Sequence, residues 1–188
     1  MDILAHAMWA AAGAAILRRK VNISEKSLYG IVLLAVLPDV LPLIPFFGWV
    51  AVGDGSIQAV PGYLLATPGT EPVLPPIVQY LTHHLHCTTH SAIVAGGVSL
   101  LLSIFNRQWC IPLLGWWSHI IIDVFSHSND YYPAPVLYPI TYRGFDGIAW
   151  NGTTFMLLNY LVLGALCIWL LRTRNRNAPQ TSVPSDKS

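Results

Sequence analysis

Charge is what this chain has least of. Asp, Glu, Lys and Arg make up 10% of its 188 residues, where soluble domains average about 25%. So few charged side chains cannot cover a surface that faces water on every side. The net charge is +1, and the basic residues form short flanks rather than a stripe, which excludes nucleic-acid binding. Cysteine is also scarce. Cys87, Cys110 and Cys167 are an odd number in separate segments, with no disulfide framework and no CxxC metal spacing; Cys110 and Cys167 read as small apolar fillers. No basic residue precedes the apolar run Met1–Leu17, and Arg18, Arg19 and Lys20 follow it, the reverse of a secretory signal. No internal repeat is visible.

What is there is apolar. Hydrophobic residues are 54% of the chain, mean hydropathy is +0.52, and several runs approach the ~20 residues a helix needs to cross a bilayer. The expectation is an all-α integral membrane bundle of about five helices, one domain over residues 1–171, with a disordered cytoplasmic tail at 172–188. The expected helices are Ile3–Leu17, Leu28–Phe47, Ala92–Phe105, Trp109–His127 and Thr153–Leu171. Ser24 and Ser27 form a cap region ahead of the second. Pro38, Pro42 and Pro45 kink or unwind that helix. Two Pro- and Gly-rich stretches, Gly48–Leu81 and Asn129–Gly152, read as outer loops.

Basic residues gather on the cytoplasmic side of a membrane. With the Arg18–Lys26 turn inside, alternation places nine of the ten Lys and Arg residues there and only Arg143 outside. That orientation makes the protein multi-pass with a cytoplasmic C-terminus. It also puts all seven histidines in the outward half.

One apolar helix carries His119, Asp123 and His127 at steps of four, which stacks the three side chains on one face. Two imidazoles and a carboxylate in a row are ligands for a divalent ion of the zinc or manganese kind. The alternative is a polar stripe satisfied by neighbouring helices, but ionisable groups in apolar segments are costly and mark function. Asp39 has no basic neighbour in sequence, and a metal would keep it ionised where burial would protonate it; its alternative is a helix-break cap. His86 and His90 share i, i+4 spacing. His6 joins because it faces the same half, although a lone core histidine is the plainer reading. The expected ligands are therefore His6, Asp39, His86, His90, His119, Asp123 and His127, holding one or two ions, zinc first and manganese second. Asp123 and His127 are also the expected catalytic pair. His83 and His84 read as solvated loop residues, Asp130 and Asp146 as surface charge, and the tyrosines and tryptophans of the outer loops as an interface belt. Asn151-Gly-Thr153 matches a glycosylation sequon by chance.

LeuProAspVal at 37–40, ThrThrHisSer at 88–91 and His119-x-x-x-Asp123-x-x-x-His127, followed by Tyr138-Pro139, resemble the membrane-bound metal-dependent hydrolases. That family is related by name to a LexA-regulated inner-membrane protein of bacteria. The likeness runs from His6 to about Trp150. The order of ligands is also similar to the zinc-dependent phospholipase C and nuclease fold, which would make His6, Asp39, His90, His119, Asp123 and His127 ligands. The family often shows His-Arg before Thr-His-Ser, whereas Cys87 and Thr88 follow His86 here. The resemblance implies a hydrolase of the bacterial inner membrane, its site on the outer face, cleaving an ester or phosphoester, with lipid among the candidate substrates. There a metal would acidify a water and polarise the scissile group. The rival from another class is a non-catalytic regulator or structural metal-binding membrane protein. A transporter would need ionisable residues through the full membrane depth, and the cytoplasmic halves have almost none.

Overall fold

The computed structural model describes residues 1–176 and is all-helical, with eight α-helices and one short 3-10 helix among them. They are α1 (Ile3–Leu17), α2 (Glu25–Val40), α3 (Leu43–Val52), α4 (Ala59–Leu64), α5 (Pro76–Thr89), α6 (Ala92–Phe105), α7 (Leu113–Ser126) and α8 (Thr153–Arg176), with the 3-10 turn at Arg107–Trp109.

Proline and hydroxyl chemistry set the breaks. Ser24 starts α2 by accepting the amide of Ser27 at 3.1 Å. Pro42 and Pro45 cannot continue its hydrogen-bond ladder, and α3 leaves at 64° to α2. The expected kinked helix is therefore two helices. A second pair, α5 and α6, bends by the same 64° at His90 and Ser91. Thr89 turns its hydroxyl back onto the carbonyl of Leu85 at 2.8 Å. Ser91 then caps α6 by accepting the amide of Val94 at 3.1 Å.

Two expectations are corrected here. The Gly48–Leu81 stretch is not one loop, because it contains the end of α3, all of α4 and the start of α5. The histidine cluster lies on α5 itself. Prolines that look like loop punctuation include Pro76 in the first turn of α5, where a missing N–H costs nothing. At the other end, α8 runs on to Arg176, past the expected boundary at 171; the rest of the expected tail, 177–188, lies outside the described residues.

Among the described residues, one helix can cross a membrane alone by length and composition: Thr153–Thr173 of α8, with mean hydropathy 2.1. The count rises to three if each bent pair is one span. Large apolar side chains stand outward, among them Leu161, Ile104 and Phe105 at 67%, 67% and 81% exposure. Exposed apolar surface on this scale suits lipid rather than water.

The α1–α2 contact is made largely of small residues. Ala10 and Ala14 of α1 meet Ile31 and Ala35 of α2, a close backbone approach of the kind membrane helices use. Gly115 of α7 presses on α2 as well: a Cβ there would lie 1.9 Å from the carbonyl oxygen of Ile31. This contact brings the next turn of α7, with His119, against the next turn of α2. On the far side α1 is tied to α8 at three heights. Tyr160 donates to Asp2 at 2.7 Å, Trp9 to Asn159 at 2.9 Å and Arg19 to Thr173 at 2.6 Å. The last of these sets the Arg18–Lys20 turn beside the basic end of α8.

Candidate metal centre

Three helix ends converge on one buried point. Asp39 is the penultimate residue of α2, His90 is the C-cap of α5, and His127 is the C-cap of α7, with Asp123 one turn before it. Helix C-termini carry unpaired carbonyls and partial negative charge, so this convergence favours a cation. The broken backbone is itself satisfied: Thr89 donates to the carbonyl of Pro38 at 3.0 Å, and Trp116 to that of Thr89 at 2.6 Å.

Asp39, His90, His119 and Asp123 place one donor atom each within 4.8 Å of one another. His90 Nε2 is 3.3 Å from Asp39 Oδ1, 3.4 Å from Asp123 Oδ2 and 3.0 Å from His119 Nε2. His119 Nε2 is 3.0 Å from Asp123 Oδ2 and 3.7 Å from Asp39 Oδ1. Zinc bound tetrahedrally at about 2.0–2.1 Å needs N and O donors about 3.3–3.4 Å apart. Those five distances, 3.0–3.7 Å, bracket that spacing.

The other ring nitrogens decide what the donors are. His119 Nδ1–H donates to the carbonyl of Ala35 at 2.8 Å, His90 Nδ1–H to that of His86 at 2.9 Å, and His127 Nδ1–H to that of Tyr132 at 2.6 Å. In a neutral imidazole the proton spent at Nδ1 leaves Nε2 as a bare lone pair. With both rings neutral, two such lone pairs on His90 and His119 would face each other at 3.0 Å with Asp123 Oδ2 beside them, a contact that only a shared proton or a metal cation relieves. Asp39 Oδ2 and Asp123 Oδ2 are buried and find no hydrogen-bond donor. Acceptors packed against acceptors repel unless a cation sits among them.

A second set of atoms faces the opposite side of both carboxylates. His6 Nε2 is 3.0 Å from Asp123 Oδ1 and 4.0 Å from Asp39 Oδ2. His127 Nε2 is 3.4 Å from Asp123 Oδ1. The α-ammonium of Met1 lies between them, 2.5 Å from Asp123 Oδ1 and 2.9 Å from His127 Nε2. His6 also stacks on His119 at 3.9 Å, and its own Nδ1 is buried without a partner.

Six of the expected ligands thus meet: Asp39, His90, His119 and Asp123 as one set, with His6 and His127 on Asp123. His86 stands beside them, its ring 4.1 Å from that of His90, and serves through its carbonyl. His84 bonds Tyr138 at 3.2 Å, and His83 lies 3.6 Å from the Cys87 sulfur, both away from the centre. Neither the Met1 amine nor Tyr132 was among the expected residues, and nothing in residue type or spacing signals them. Asp39 and His127 are the ligands that still reach solvent, at 19% and 10% side-chain exposure; the other four are closed in. No protein-family model, characterised protein or solved structure matches this chain.

Proposed function

We propose that the chain is a membrane-embedded metal-dependent hydrolase, a relative of the membrane-bound metal-dependent hydrolases it resembles. In this reading Asp39, His90, His119 and Asp123 hold a divalent ion, zinc before manganese. His6 and His127 bear on the other oxygen of Asp123, where the α-ammonium of Met1 also lies. One observation carries the reading: the Nε2 atoms of His90 and His119, each with its Nδ1 on a backbone carbonyl, face each other at 3.0 Å beside a buried carboxylate. A bound divalent ion supplies Lewis acidity toward a water and an ester or phosphoester. The chain's own part is to orient the ligands through backbone carbonyls and to keep Asp123 dry. Asp39 and His127 form the side by which a substrate enters.

The proposal extends to the membrane. The bent pairs α2–α3 and α5–α6 and the short apolar helix α7 join α8 as crossings, four after the Arg18–Lys26 turn, giving a multi-pass protein of the bacterial inner membrane. Its basic turns and C-terminus are cytoplasmic and its ligands open outward. The Arg19–Thr173 bond supports this, since it puts two basic clusters at one end of the molecule. An outward site between spans suits a lipid ester or phosphoester.

The near-complete burial of the ligands favours a second reading, a structural metal site, since closed coordination is the structural habit of zinc. Metal analysis of the purified protein comes first. Bound metal in the wild type, lost in His119→Ala with Asp123→Ala, is the expected result. No metal in the wild type, or the same content in the variant, ends both readings. Turnover of a phosphodiester or lipid-ester panel, abolished in the same variant, then separates the hydrolase from the structural site.

A further inference from the structure

His127, one of the two ligands that reach solvent, is held from the loop between α7 and α8, and that loop is held in turn from another. We propose that Tyr132 is a positioning residue for His127: its carbonyl orients the imidazole, and its phenol, fastened to Glu71, fixes the carbonyl. Tyr132 has φ +46°, the only positive φ outside glycine among the described residues. An aromatic side chain rarely adopts that conformation, and it persists where its surroundings over-determine it. Here they do so from two directions. The main chain accepts His127 Nδ1–H at 2.6 Å, and the hydroxyl donates to Glu71 Oε1 at 2.7 Å. Glu71 belongs to the segment between α4 and α5, and the amide of Gly69 donates to its other oxygen at 2.7 Å. The ring itself packs edge-on against Tyr131 at 5.1 Å, and Tyr131 against Trp150 at 5.8 Å.

The charge states agree with the geometry. Burial and the Glu71 carboxylate push the Tyr132 phenol up, so it keeps the proton it donates. The phenol's hydrogen bond holds the Glu71 carboxyl below its ordinary range, so it stays an acceptor. Two outer segments are thereby joined in a strap that ends on a candidate ligand. With the strap fastened, His127 carries its proton at Nδ1 and turns a lone pair toward Asp123. With it released, the carbonyl drifts and the ring is free to take the other tautomer.

The consequence for metal affinity rests on the hydrolase reading above; the orientation of His127 does not. The test uses the full chain labelled with 15N-histidine, metal-free in detergent micelles, as wild type, Glu71→Ala, Tyr132→Phe and the double variant. The wild type is expected to show His127 protonated at Nδ1. Each variant should show a mixture of tautomers at His127, while His90 and His119, with their own acceptors, are unchanged. Titration with zinc should then show affinity lowered by about 10–100-fold in each single variant. The double variant should fall no further, because both changes remove one bond. An Nδ1-protonated His127 in all four proteins overturns the proposal, as do zinc affinities that are unchanged or that fall additively. Should the wild type bind no zinc, the hydrolase reading fails, and the tautomer comparison alone decides the strap.

Discussion

Helices α7 and α8 are both strongly apolar, yet they do opposite work. Among the buried positions of α7 are His119 and Asp123, on a helix of 14 residues. Among its described residues the longer α8 has Leu163 fully buried and Phe155 and Tyr160 packed beside it, while Leu157, Leu158, Leu161 and Ile168 stand outward. What separates them is the company each keeps. Gly115 lets α7 close on α2 until His119 reaches the Ala35 carbonyl. By contrast α8 meets α1 through Leu163, packed with Met1 and Ala5, and through widely spaced polar ties. Hydropathy alone would class the two together; a charged side chain in an apolar helix instead reports what that helix is packed against.

The comparison can be broken most sharply by removing ligands. His119→Ala with Asp123→Ala should abolish metal binding, measured by elemental analysis, while Leu161→Ala on α8 should leave it intact. Next in size, Gly115→Ala drives a methyl into the Ile31 carbonyl. It should cost about 1–3 kcal/mol in thermal unfolding in detergent, with metal content falling in parallel. An unchanged melting temperature would mean α7 and α2 are not in register. Thr89→Val strips the hydroxyl from Pro38 and should cost about 1–2 kcal/mol, since a buried carbonyl is left unpaired. On the α8 side Asn159→Leu removes the tie to Trp9, worth only about 0.6 kcal/mol if it behaves like other hydrogen bonds between membrane helices. A loss as large as that of Gly115→Ala would erase the distinction between the two helices. The smallest effect is one of pH. The Glu71 carboxyl titrates below its ordinary 4.5, so its bond to Tyr132 contributes stability above that value. That contribution is lost as pH falls through the depressed value. The difference in melting temperature between wild type and Glu71→Ala should therefore close in acid and stay constant at neutral pH.

Much of the site was legible because its chemistry is costly in an apolar chain. His119 and Asp123 stood out by spacing, and Asp39 by standing alone beside Pro38. The helices α1 and α6 were legible to the residue, since nothing interrupts their apolar periods. Elsewhere local signals misled. Pro75 and Pro76 read as loop, but a proline in the first helical turn gives up no bond. The i, i+4 pair of His86 and His90 promised two ligands on one face. His90 instead caps α5 at φ −96°, ψ 6°, where the chain swings into α6, and the two rings no longer serve the same point. The Met1 amine and the Tyr132 carbonyl are main-chain groups, which no residue type announces.

Those main-chain groups carry a genetic consequence. Three imidazoles take their orientation from the carbonyls of Ala35, His86 and Tyr132, and no codon change can delete a carbonyl. Substitutions at these positions can only move the acceptor, by shifting the trace of the polypeptide. The alignment of His90 and His119 is thus guarded by the fold itself and should tolerate changes in neighbouring side chains, whereas that of His127 hangs on the Tyr132 phenol as well.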